Sequence, residues 1–151
     1  MGSKTGSTSR AVQFSLEYFP FPVQQRSFQP DKVDDSLRLT RQQFFDRIKR
    51  FAVGFQKHGL GPGDRVCVHL GNCVENFVAM YGLVFVGATV VLAKTSLTEH
   101  ELHYQMKDGD ATHVLTDPQN AAKVLSVHDR LPLKGLFVMG ATSGFVSVSA
   151  F

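Results

Sequence analysis

The sequence predicts an α/β fold: a mostly parallel sheet with helices on both faces. Three observations carry this. Thr40 is followed three residues on by Gln43, Asn72 by Glu75, and Thr98 by Glu101. An oxygen at an N-cap accepts a backbone N–H two or three residues later, and the side chain at the third helical position reaches back to the cap's own N–H. Second, short apolar runs alternate with these signals, at Arg65–Leu70, Ala88–Ala93, Thr112–Thr116 and Gly135–Met139. Third, glycines punctuate the helix ends at Gly59, Gly87 and Gly109. Such β/α alternation with short connections gives right-handed crossovers and a parallel sheet.

Residues 1–12 are small and polar and read as a disordered tail. Residues 13–36 place Pro20, Pro22 and Pro30 among aromatics and read as an extended arm. Leu37–Leu39 reads as a short strand. Thr40 then caps a helix to about His58, in which Phe44, Ile48, Phe51 and Phe55 form one apolar stripe, with Phe45 and Ala52 beside it. Gly59 stops it in left-handed conformation. Gly61-Pro62-Gly63 turns the chain into the strand Arg65–Leu70.

Asn72 caps a second helix carrying Val74, Phe77, Val78, Tyr81, Val84 and Phe85. An apolar residue on nearly every side predicts burial between layers. Ala88–Ala93 lacks alternation, as a central strand covered on both faces does. Thr98 caps a third helix with Leu102 and Met106 inward, ended by Gly109. After the strand Thr112–Thr116, Asp117-Pro118 starts a fourth helix, with proline at its first position, where no hydrogen bond is lost. The strand Gly135–Met139 follows, then a Gly/Ser-rich stretch from Gly140 to Phe151.

With 151 residues, 43% of them hydrophobic, the chain can bury one sizeable core. The net charge of +3 is small, and its densest basic group, Arg41, Arg47, Lys49 and Arg50, falls on the solvent side of a helix. That excludes a nucleic-acid footprint. Cys67 and Cys73 show neither CxxC nor zinc spacing and read as free thiols of a reducing compartment. The apolar run Phe77–Ala93 is broken by Gly82 and Gly87, so it is no membrane span. Residues 1–16 hold no signal-peptide core; with Lys4, Arg10 and several Ser and Thr they have a composition that also occurs in transit peptides.

No catalytic set emerges from the residues alone. Gly59-x-Gly61-x-Gly63 follows a helix and precedes a strand, the reverse of a dinucleotide loop. Gly140–Gly144 follows a strand but lacks the lysine of a phosphate loop and a helix after it. His100 and His103, spaced as metal ligands on one helix would be, have no further ligand cluster and read as a polar face. No Gly-x-Ser-x-Gly elbow nominates a nucleophile.

The block from Gly59 to Glu75, GLGPGDRVCVHLGNCVE, is more specific. It resembles the N-terminal region of the adenylate-forming superfamily: acyl-CoA synthetases, 4-coumarate–CoA ligases and beetle luciferases. That region runs from a helix to G-x-x-x-G-D-R-V on a strand, then L-P-N-x-x-E opening a helix. Next come G-A-x-x-x-P and T-x-x-E-L-x-Y-x-L-x-D. Here Gly87-Ala88 and Thr98-Glu-His-Glu101-Leu102-His-Tyr104-Gln-Met-Lys-Asp108 stand in that order. Two departures occur: Gly71 replaces the proline, and Ala93-Lys94-Thr95 replaces a Pro/Asn-containing turn.

The resemblance covers roughly 37–140 and implies that 37–151 is the incomplete N-terminal part of the family's large domain. It implies an ATP-dependent acid–CoA ligase, acting with Mg²⁺ and CoA on a fatty or aromatic carboxylic acid by way of an acyl-adenylate. The family's lysine-ended phosphate loop and C-terminal domain are absent from this sequence. No catalytic, cofactor-binding or metal residue is therefore assigned, and the chain alone is expected to be inactive, a fragment such as a truncated gene product or splice form. An uncovered sheet edge would then invite self-association and poor solubility. The alternative reading is a non-catalytic α/β protein-interaction module. The compartment stays open between cytoplasm, which is favoured, peroxisome and mitochondrion.

Overall fold

In the computed structural model, residues 39–151 are described. The expected tail, the arm and Leu37 and Arg38 of the expected first strand lie outside them; Leu39 has no strand conformation. Helix α1 (Arg41–Lys57) begins at Thr40, whose side chain accepts from Gln43 N while the Gln43 side chain accepts from Thr40 N, completing the capping box. Gly59 follows with φ +86°, the left-handed stop. Strand β1 (Arg65–His69) leads to α2 (Val74–Phe85), then β2 (Thr89–Leu92) and α3 (Glu99–Asp108). Next come β3 (His113–Thr116), α4 (Ala121–His128), β4 (Gly135–Val138), β5 (Val146–Ser147) and a 3-10 turn, Val148–Ala150.

The five strands lie in the order β2-β1-β3-β4-β5, and every neighbouring pair is parallel. Alternate residues of the strands feed two cores. Val66, Val68, Leu115 and Phe137 point to the layer of α1 and α2; Cys67, Val114 and Leu136 point to that of α3 and α4. Helices on both faces of a parallel sheet are thus present as expected.

Several local expectations are corrected. The cap of α2 is Cys73, whose Sγ accepts from Asn76 N at 3.4 Å, and not Asn72. Glu75 does not close a box there; it pairs with Arg47 of α1 at 2.8 Å. Asp117-Pro118 forms a turn ahead of α4, which starts at Ala121. Asp117 Oδ1 accepts from Asn120 N at 3.0 Å, so the turn is closed by the side chain before the helix begins. Gly109 caps α3 with a negative φ, and Asp110 takes the left-handed conformation at φ +48°. A Cβ on Gly109 would lie 2.9 Å from Val91 Cγ1, so the glycine serves close packing on β2.

β2 is an edge strand, not a central one: Leu92 is 62% exposed. Its run of valines lacks alternation although, among the described residues, one side of the strand has no neighbour. The N–H of Thr89 and of Ala93 point back to β1, to Asp64 O and Val68 O at 2.9 Å each. Val90 and Leu92 therefore direct their backbone groups outward. Leu92 O is taken by Gln105 Nε2 of α3, which partly closes the edge. The short strand β5 occupies the opposite edge, within the Gly/Ser-rich stretch that follows β4 and for which no strand was expected.

The expectation of an α2 covered on all sides is also corrected. Val78, Ala79, Gly82 and Leu83 are buried against α1 and the sheet. Val74, Phe77 and Val84 are 40%, 48% and 50% exposed, and with Tyr81 they make a second stripe at steps of three, four and three. The sheet reaches only one side of the helix.

Gly82 sets the α1–α2 distance, since a Cβ there would come within 2.7 Å of Phe51 Cβ and 3.3 Å of Ala52 N. Replacing Gly by Ala would favour an isolated helix by about 1 kcal/mol, but overpacking costs about 1–3 kcal/mol. Gly82→Ala should therefore lower the urea midpoint at unchanged slope. Gly54 is a similar notch on α1: a Cβ would lie 2.2 Å from the Phe151 ring, which also packs edge-on to Phe55 at 5.4 Å. Gly54→Ala should destabilise when Phe151 is present and stabilise when Phe151 is replaced by alanine, as read by thermal melts of both pairs.

Candidate functional site

Backbone N–H and C=O groups at the ends of a parallel sheet are unpaired, and ligands collect outside the carboxyl ends, where strand order reverses. Here the chain moves outward from β1 to β2, then back across β1 to β3. The reversal lies between the carboxyl ends of β1 and β3, which continue into Leu70-Gly71-Asn72 and Asp117-Pro118.

These two loops are joined. Gly71 N donates to Asp117 Oδ2 at 3.1 Å, and Asn76 Nδ2 donates to Gly71 O at 2.8 Å. A proline at position 71 could not make the first bond, so this departure from the family pattern has a local function. Beneath them Thr116 Oγ1 donates to His69 O at 3.0 Å. His69 is fully buried and its Nδ1–H donates to Ala93 O at 3.2 Å. That bond places the lone pair on Nε2, which has no partner among the described residues. Burial pushes the His69 pKa below its ordinary value, and Lys123 adds to this, while the Ala93 bond and Asp117 oppose it. The ring is therefore neutral at pH 7.

The loop after β2 is fixed from the other side. Lys123 Nζ of α4 donates to Thr95 O and Leu97 O, each at 2.8 Å. Between this loop, the carboxyl ends of β1 and β2 and the start of α2 opens a cleft of about 1040 Å³. Phe77, Met80, Leu92 and Leu97 make it mainly apolar; Asn72 and Lys94 stand among its polar lining.

The features weighed from sequence lie elsewhere or stay apart. Gly59, Gly61 and Gly63 sit at the amino end of β1, where Gly61 N donates to Asp64 Oδ2 at 3.1 Å. Gly140–Gly144 does lie at the carboxyl edge: a Cβ on Gly140 would meet Pro118 Cγ at 2.9 Å. It runs into the two-residue β5 and a 3-10 turn, so no helix N-terminus faces it. His100 is exposed and His103 half-buried on α3, and no group of three or more potential metal ligands occurs among the described residues. Cys67 is buried, with its thiol pKa pushed up to about 12 by desolvation. Cys73 is exposed as the α2 cap. The sequence reading missed Asp117 as a bridge and His69 as a buried base. Asp117-Pro118 was a visible signal, but its partner Gly71 lies far back in the chain.

At the opposite, amino edge Asp64 gathers a cluster. Its Oδ1 lies 3.1 Å from Lys134 Nζ and 3.8 Å from His113 Nδ1, and accepts from Thr112 Oγ1 at 3.3 Å. Burial alone would raise the Asp64 pKa. Hydrogen bonds from Lys134 and Gly61 N, with the charges of His113 and Lys134, carry it below the ordinary carboxylate value. His113 is lowered, chiefly by burial, against the attraction of Asp64.

Comparison with known proteins follows this geometry. The family described as "AMP-binding enzyme" matches residues 23–144, starting inside the stretch read as an arm. A long-chain-fatty-acid–CoA ligase of Bacillus subtilis (strain 168) is 37% identical over 90 residues, 58% of this chain and 16% of the ligase. A long-chain-fatty-acid-CoA ligase from Archaeoglobus fulgidus superposes with a TM-score of 0.70 at 21% identity, covering 81% of this chain and 25% of that one. A luciferase-like enzyme from the nonluminescent mealworm Zophobas morio gives 0.68 at 18% identity, covering 74% and 27%. The two structural likenesses show the fold. The chain spans about a quarter or less of these relatives.

Two buried histidines and the Asp64 carboxylate contribute to the acid response. A base with a lowered folded pKa leaves the unfolded chain binding more protons, so stability falls as pH drops below the ordinary histidine value of 6.5. Asp64 works in a lower window: its contribution is complete above 3.8 and disappears as pH falls through its lower folded pKa. Urea midpoints should decline in two stages. A His69→Gln/His113→Gln variant should lose the upper stage whatever its absolute stability. Asp64→Asn should cost about 1–3 kcal/mol at pH 7.

Proposed function

The chain belongs to the AMP-binding enzyme family, and from that premise we propose that it forms the N-terminal scaffold of an ATP-dependent acid–CoA ligase. The reaction would join a fatty or aromatic carboxylic acid to CoA through an acyl-adenylate, with ATP and Mg²⁺. The observation that carries this reading is the family match over 122 residues, 23–144, on a sheet superposable on a fatty-acid–CoA ligase. The Bacillus relative is named a long-chain-fatty-acid–CoA ligase.

The described residues do not fit the nucleotide. Gly140–Gly144 offers Thr142 and Ser143 but no lysine and no following helix, and the unpaired helix N–H groups that hold phosphates elsewhere are missing there. No chemical step is routed through them. We assign to 37–151 the positioning of a sheet, and to no residue of it a catalytic, cofactor or metal-binding role. The edge of β2 and the open stripe of α2 provide a route to self-association of the chain on its own.

Purified 1–151, mixed with ATP–Mg²⁺, CoA and a panel of fatty and aromatic acids, should release no pyrophosphate. A chimera of the Bacillus ligase carrying 39–139 of this chain in place of its matching segment should retain acyl-CoA formation. Turnover by 1–151 alone would overturn the scaffold reading. A folded chimera without activity would overturn the assignment to this reaction class.

A further inference from the structure

We propose that β2 pairs antiparallel with β2 of a second copy of this chain. The twofold axis stands perpendicular to the sheet, passes between the two Val91 residues and joins both sheets into one. The inference deepens the self-association route named above and is independent of any ligase chemistry.

The backbone sets the register. β2 pairs with β1 on one side, and among the described residues no strand lies on the other. Thr89 N and Ala93 N donate inward, so the N–H and C=O groups of Val90 and Leu92 point outward. Two outward residues on either side of Val91 make a self-complementary set. With Val91 at the axis, Val90 of each copy faces Leu92 of the other. Facing residues exchange both N–H···O=C bonds, the hydrogen-bonded pair of an antiparallel ladder. Every outward group of the two residues is then satisfied. Gln105 Nε2 already donates to Leu92 O, and a carbonyl oxygen has a second lone pair to offer.

The side chains select the occupant. Sheet edges are commonly guarded by a charge, a proline or a bulge. The run Ala88–Ala93 has no charge and no proline, and β2 follows β1 in unbroken register. A twofold copy returns this same uncharged edge at the same spacing. Leu92 is 62% exposed and shares a cleft with Phe77, which is 48% exposed. The axis keeps the α2 layers of both copies on one side of the joined sheet, so each Leu92 lies beside Val90 of the other copy and is covered. Charge sets the direction. With Val91 at the axis, each Lys94 lies opposite Ala88 of the other copy. Along the strands the two lysines are then separated by about 20 Å. Parallel, in-register pairing would set them side by side, where like charges destabilise.

The test is sedimentation velocity of 1–151 across a concentration series, with oxidative cross-linking of Cys73→Ser/Val91→Cys and Cys73→Ser/Thr89→Cys. Serine removes the exposed thiol and keeps a capping oxygen on α2. The proposed register puts position 91 beside itself, with Cα atoms about 4.5 Å apart, within disulfide reach. It puts position 89 opposite Ala93 of the other copy, out of reach of its own equivalent. A monomer–dimer equilibrium should appear; Val91→Cys should trap the dimer and Thr89→Cys should not. Leu92→Lys adds a charge to the edge, and Val90→Pro removes only an outward N–H; each, checked for folding by circular dichroism, should weaken the dimer at least tenfold. Folded chain that stays monomeric at every concentration would overturn the proposal, and so would equal cross-linking at positions 89 and 91. A dimer indifferent to both Leu92→Lys and Val90→Pro would also overturn it and move the contact to another surface. None of these results bears on the chimera experiment, so the two readings fail separately.

Discussion

The arrangement of this sheet depends on one carboxylate. Asp64 ends the turn that follows α1, and its own backbone O accepts from Thr89 N at the start of β2. Its side chain reaches Thr112, just before β3, and Lys134, just before β4. One residue thus ties the amino ends of three strands beside its own strand β1. From β1 to β4 the strands are parallel and each returns to the same edge after a helix, so fixing that edge fixes the register of these four. The cost of holding a nearly buried carboxylate is offset by a lysine, a hydroxyl and a backbone N–H, each at or below 3.3 Å.

Much of the fold was legible because its signals are local. Thr40 and Thr98 form the capping boxes that their spacing announces, and Gly59 stops α1 as a left-handed residue must. The errors arise where a long-range partner outbids a local one. Glu75 has the right spacing to box with Asn72, but Arg47 lies across the α1–α2 interface and takes it. The Ala88–Ala93 run reads as central because it lacks alternation. Its place at the edge follows from strand order, which no stretch of four residues encodes.

The cleft was less legible than the fold. Its walls come from β1, β2, α2, α3 and the loop after β2, so no motif spans it. Asp117 looked like a helix starter, and its bond to Gly71 crosses 46 positions of chain. His69 sits in a strand that patterning marks simply as apolar. Only the third dimension shows that Ala93 O takes its donor and leaves Nε2 alone. The glycine motif was legible from its order: following a helix and preceding a strand, Gly59, Gly61 and Gly63 serve a helix stop and a turn at the amino edge.

The two edges of the sheet divide the sequence accordingly. The Gly-Asp-Arg segment that matches its family's pattern so closely lies at the amino edge, where Asp64 needs every partner it has. Gly71 and Ala93-Lys94, which depart from that pattern, lie at the carboxyl edge and line the cleft. A substitution at the first edge disturbs three strand starts at once, whereas one at the second changes a wall. Gly71 illustrates the freedom of the carboxyl edge: in place of a residue without an N–H it gains a bond to Asp117, which draws the loops after β1 and β3 together across the reversal point. A fold organised in this way can keep its register while its carboxyl edge varies, because the groups that hold the strands and the groups that line the cleft are different residues at opposite ends of the same strands.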